Sequence, residues 1–114
     1  MTWEEISKRI DNEIEIGSRI PKTDGGYRMI TGKVGPKIYI QVGIETEVKK
    51  CVTKEMLRYA YENLNSGKPF TSSGLKSNFP DEYSQGGCVF SMTGGIFESL
   101  GIAKYRRGIG YILL

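Results

Sequence analysis

The sequence predicts an α+β domain, in which an N-terminal helix and a small antiparallel β-meander precede a helical unit that closes on a β-hairpin. Three observations carry that prediction. Trp3, Ile6 and Ile10 recur at helical spacing, and Tyr27–Thr31 and Ile38–Val42 read as strands, the second with Ile38, Ile40 and Val42 on one face. The chain from 53 to 113 then divides into three capped helical stretches and two short β-rich ones.

Thr2-Trp3-Glu4-Glu5 has capping-box spacing, in which the threonine hydroxyl and the glutamate satisfy orphan amides at a helix start. The first helix is therefore expected from about Thr2 to Asn12. Ile14 and Ile16 form a short extended piece before the Gly17-Ser18 break, and Pro21 to Gly26 is a turn by its chemistry. Tyr27–Thr31 and Ile38–Val42 are strands joined by a loop at Val34-Gly35-Pro36-Lys37. Ile44, Thr46 and Val48 alternate with Glu45, Glu47 and Lys49, predicting a third strand after Gly43. So small a sheet needs helices over its apolar face.

Thr53 caps a helix whose Leu57, Ala60, Tyr61 and Leu64 share a face, and Asn65-Ser66-Gly67 stops it. Thr71 caps a shorter helix with Leu75 and Phe79, ended by Pro80. Ser84 is the expected cap of a third, in which Val89, Met92, Ile96, Phe97 and Leu100 form one arc and Ser84, Gly87, Ser91 and Glu98 lie opposite. After Gly101, Ile102–Tyr105 and Ile109–Leu113 flank an Arg106-Arg107-Gly108 turn.

At 114 residues, with 39% apolar and 25% charged side chains, the chain matches one globular domain, a helix-plus-meander subregion over 1–52 and a helical subregion over 53–114. It contains no histidine, which excludes Ser-His-Asp and Cys-His catalysis and every His-containing metal site. Cys51 and Cys88 form no CxxC motif and read as reduced, packing residues, which favours a cytoplasmic setting. The acidic start Glu4-Glu5 argues against a signal peptide, and no apolar run approaches the roughly 20 residues of a membrane span. No cofactor is implied. The net charge of +3 is small, but residues 101–114 carry Lys104, Arg106 and Arg107 without an acid.

The succession of helix, short helix, longer helix and hairpin resembles a winged helix-turn-helix DNA-binding domain. The likeness is at the level of the fold and covers the C-terminal half, resting on element order, on Gly86-Gly87-Cys88-Val89-Phe90 through Leu100-Gly101-Ile102, and on the Arg106-Arg107-Gly108 tip. It implies that the third helix enters the major groove while the hairpin, or wing, follows the backbone or minor groove. Ser84, Gln85, Gly87 and Ser91 on that helix, with Lys76, Lys104, Tyr105, Arg106 and Arg107, are then the expected contacts to double-stranded DNA. The function expected is non-catalytic, a regulator of transcription or of another DNA transaction. Gly87, Gly94 and Gly95 fit either close DNA approach or close helix packing. The outward face expected of the helix lacks the Arg, Asn or Lys side chains of the commonest base contacts, so specificity would be modest or come from elsewhere. Arg28, Lys33 and Lys37 of the meander, or a homodimer placing two wings on one duplex, are two such sources.

Two other functions compete. A winged helix also serves as an interaction module docking a protein partner. Asp24 with Glu47-Val48-Lys49 loosely matches the PD-(D/E)xK nuclease pattern, in which acids bind magnesium and the lysine sits near the attacking water. Strand alternation already accounts for Glu45, Glu47 and Lys49 as a solvated face.

Overall fold

Thr2 caps the first helix as its spacing predicts: the Glu5 N–H donates to Thr2 Oγ1 at 3.3 Å, and α1 runs Trp3–Glu13 with Ile6 and Ile10 buried. The computed structural model describes residues 1–43 and 48–114. Four strands follow α1, β1 (Arg19–Pro21), β2 (Tyr27–Val34), β3 (Lys37–Gln41) and β4 (Lys49–Thr53), in an antiparallel sheet of order β1-β2-β3-β4. The strand expected at Ile44, Thr46 and Val48 lies, but for Val48, outside the described residues, and the described strand that follows starts at Lys49. Its parity explains the placement. Val52 pairs with Ile38 and is fully buried, so the strand runs on until Thr53 caps the next helix. The short extended piece expected at Ile14 and Ile16 is corrected: the strand β1 lies at Arg19–Pro21, just ahead of the turn, because Ile20 takes a core position opposite Arg28.

The second half comprises α2 (Lys54–Asn65), α3 (Ser72–Asn78), α4 (Pro80–Tyr83), α5 (Cys88–Ser99), β5 (Ala103–Arg106) and β6 (Gly110–Leu113). Thr53 and Thr71 cap α2 and α3, accepting from the N–H groups of Met56 and Gly74. Pro80 ends α3 and also begins α4, since a proline at the first helical position forfeits only an orphan donor. Ser84 is not the cap of α5. It closes α4, donating to the Asp81 carbonyl, and Gly86 at φ +129° then breaks the chain so that α5 begins at Cys88 behind Gly87.

Ile20, Ile30, Ile38, Ile40 and Val52 from the sheet join Ile6, Ile10, Leu57, Leu64, Phe97 and Tyr111 in one core. The two halves are also pinned by polar contacts. Lys54 Nζ lies 2.8 Å from Asp11 Oδ1, the Tyr61 hydroxyl donates to the Met1 carbonyl at 2.6 Å, and Arg9 donates to the Leu100 carbonyl at the end of α5 at 2.9 Å. The result is an α+β fold with α5 at its centre. A Cβ on Gly95 would come within 2.8 Å of the Pro21 carbonyl on β1, and one on Gly94 would fall inside the Tyr111 ring on β6. Both glycines thus serve packing, with the sheet on one flank of α5 and the hairpin on another. Among the described residues, no helix is long and apolar enough to cross a membrane.

Candidate nucleic-acid interface

Phe70 exchanges two backbone hydrogen bonds with Tyr111, at 2.9 and 3.0 Å, so this residue, two ahead of α3, adds a third, one-residue strand to the β5–β6 hairpin. Tyr111 is the anchor. Its ring packs against Phe70, Phe90 and Tyr105, and its hydroxyl donates to the Ser91 carbonyl at 3.3 Å. Burial pushes this phenol far above the ordinary tyrosine range, with the nearby Glu98 carboxylate adding to the rise. The hairpin is held on its other side by Glu98, whose Oε1 accepts from the Tyr105 N–H at 3.1 Å. Tyr105, an expected DNA contact, is half-buried by this packing.

The tip projects from that base. Lys104, Arg106 and Arg107 are exposed and, among the described residues, form no ion pair. The Ile109 N–H closes the turn onto the Arg106 carbonyl at 3.0 Å. Gly110, paired with Arg106, sits at φ +124° against the backbone of Phe70 and Thr71, where a side chain has neither room nor a relaxed conformation. Contact then continues from the wing to the two helix starts. Ser72, the first residue of α3, shares a hydrogen bond of 2.6 Å with the Tyr83 hydroxyl, and that hydroxyl lies 3.3 Å from where a Cβ on Gly87 would stand. Wing base, α3 start and α5 start therefore form one continuous stretch of the molecule.

The other expected contacts are placed differently. Gly87 and Ser84 are exposed, but Ser84 shares the short α4 with the acids Asp81 and Glu82. Lys76 is exposed in the last turn of α3. Gln85 is half-buried and spent on structure: its Oε1 accepts from the Cys51 N–H at 2.9 Å and its Nε2 donates to the Cys51 carbonyl at 3.0 Å. The side-chain amide thus imitates a neighbouring strand along the free edge of β4, and Lys50 reinforces it by donating to the Gln85 carbonyl. Ser91 is only 9% exposed and accepts from Arg28 Nη1 at 2.8 Å. The expectation that Ser91 faces outward is corrected, because the sheet covers that flank of α5.

The meander cations do not cluster either. Arg28 points inward, Lys33 donates to the Asp11 carbonyl on α1, and Lys37 is exposed. Of the nuclease pattern, Glu47 lies outside the described residues, Lys49 is exposed on β4, and Asp24 is occupied by the Gly26 N–H in its turn. Among the described residues no three of His, Cys, Asp and Glu gather as metal ligands. Cys51 and Cys88 are free thiols, both half-buried, and burial pushes the Cys51 thiol up. The participation of Thr71 and Ser72 was missed by the sequence reading, although the cap signal at Thr71 marks the place where the wing lands. Comparison with family models, curated proteins and solved structures finds no match.

Proposed function

We propose that the protein binds double-stranded DNA without catalysing a reaction, gripping the phosphate backbone with the wing and with the exposed start of α5. The observation that carries this reading is the hairpin bearing Lys104, Arg106 and Arg107, exposed and free of ion pairs among the described residues, and continuous with Ser72 and Gly87. Three uncompensated cations on a rigid ribbon suit phosphate contacts, and a helix start adds a favourable dipole. A winged-helix arrangement is supported by the order α2, Phe70, α3, α4, α5, β5, β6, with the single-turn α4 between the two longer helices, and by the pairing of Phe70 with β6. In this version α5 does not lie in the groove along its length, since Ser91 and Gln85 are engaged by the protein itself. The readout is of backbone and shape, with little base discrimination.

The covered flank of α5 also favours a second reading, a winged-helix module that docks a protein partner, and the exposed Leu113 and Leu114 at the end of β6 fit it. A mobility shift on random duplex at several salt concentrations separates the two. Duplex binding that weakens steeply with salt and is further weakened in Arg106→Ala/Arg107→Ala supports the DNA reading; a variant that binds with the parent's affinity and salt dependence sinks the role given to the wing.

A further inference from the structure

The four strands present two faces of different chemistry. Ile20, Ile30, Ile38, Ile40 and Val52 point toward the helices, so the pleat aims their neighbours outward. Arg19, Met29, Gln41 and Lys49 are paired in register across β1, β2, β3 and β4, forming one row with a cation at each edge. Tyr27 lies beyond this row at one end, 55% exposed, and Tyr39 lies at the other. Tyr39 is opposite Gly32, and a Cβ on that glycine would meet the Tyr39 ring at 3.6 Å, so the ring leans over the glycine on the same outer face, half-buried. From strand rise and spacing the two tyrosines stand about 14 Å apart. A hollow of about 260 Å³ opens between Arg19, Tyr27, Met29 and Gly43. That is just below the roughly 300–1,000 Å³ of pockets for drug-sized ligands and suits one planar group.

The charge of this sheet is one-sided. None of the four strands contains an acid, and the exposed Arg19, Lys37 and Lys49 form no ion pair among the described residues. An ordinary solvated face mixes both signs and hides its aromatic rings. Here two aromatic rings flank a row edged by cations, the combination that binds single strands, because bases stack on aromatic faces while phosphates meet the charges.

We propose that the outer face of the β1–β4 sheet binds single-stranded nucleic acid, stacking bases on Tyr27 and Tyr39 and holding the backbone with Arg19, Lys37 and Lys49. This surface uses neither the wing nor α5 and is independent of the duplex reading. The test is fluorescence anisotropy with a labelled homopyrimidine strand of about ten nucleotides, within the usual footprint of such sheets. Tyr27→Ala should weaken binding by roughly 5- to 150-fold, the range of one lost stacking contact, while Tyr27→Phe retains it. Arg19→Glu/Lys49→Glu should abolish it without disturbing the core, since both side chains are exposed. Arg106→Ala/Arg107→Ala should leave the single strand bound and impair only the duplex. The proposal is overturned if the strand fails to bind at low salt, if the Tyr27 and Arg19/Lys49 variants bind as the parent does, or if the wing variant loses the single strand. A concentration-dependent dimer in sedimentation, lost in Tyr27→Ala, would assign the face to a second copy and overturn it equally.

Discussion

Arg28 is a guanidinium 9% exposed, bonded to Ser91, with its Nε unpartnered and no carboxylate in ion-pair range among the described residues. Removing such a charge from the interior relieves a desolvation cost. Arg28→Met should therefore raise stability by about 1 kcal/mol, visible as a melting temperature higher by about 5 °C in a thermal scan. Ser91 loses little in that variant, because its hydroxyl already donates to the Cys88 carbonyl. Gly94 works in the opposite sense. Alanine would gain about 1 kcal/mol of helix propensity, but its methyl would displace the Tyr111 ring, and overpacking of that kind costs about 1–3 kcal/mol or more. Gly94→Ala should be destabilised in urea denaturation, whereas a glycine kept for DNA approach would tolerate the change with a gain. Tyr111 itself supplies a pH test. Its folded pKa is raised above the unfolded value of about 10, so the stability it confers is full below that pH and is lost as pH rises through the folded value. Of the seven tyrosines, Tyr111 should ionise only with unfolding when tyrosinate absorbance is followed against pH.

At the level of elements, the wing makes the sharpest prediction. If Arg106 and Arg107 each neutralise one phosphate, the double alanine variant should lower the slope of log affinity against log salt by about 2. The unfolding temperature should stay unchanged, since both side chains are exposed. Local chemistry revealed most of the elements. The caps Thr2, Thr53 and Thr71 and the turn at Arg106-Arg107-Gly108 were legible because each is a short-range signal, satisfied by atoms within a few residues. The cap at Ser84 misled for a physical reason. A serine serves a helix end as readily as a helix start, and only the positive φ of Gly86 decides between them. Ser91 and Gln85 misled for another. Their partners, Arg28 and Cys51, lie far away in the chain, and a polar residue on a helix reads as solvated until its neighbour is known. One clue was present: α5 is apolar or small over nearly its whole circumference, the pattern of a helix enclosed on several sides.

The whole molecule inherits its cooperativity from that enclosed helix. Because α5 packs on β1 through Gly95 and on β6 through Gly94, neither half can bury it alone. A fragment of residues 53–114, which a free-standing winged helix would tolerate, should expose Val89, Met92 and Ile96 and behave as a loosely packed state, binding ANS and lacking near-UV circular dichroism. The intact chain should melt in one transition by every probe.

The pairing of Gln85 with Cys51 reaches further than the stability of one loop. An unguarded marginal strand is a template for another chain, and each end of this sheet is closed differently: β1 is three residues long and finishes in Pro21, while β4 is occupied by an amide borrowed from the other half of the protein. Loss of that amide would leave the fold nearly intact yet open a ladder to passing copies, so its cost would appear during storage and overexpression, as fibres.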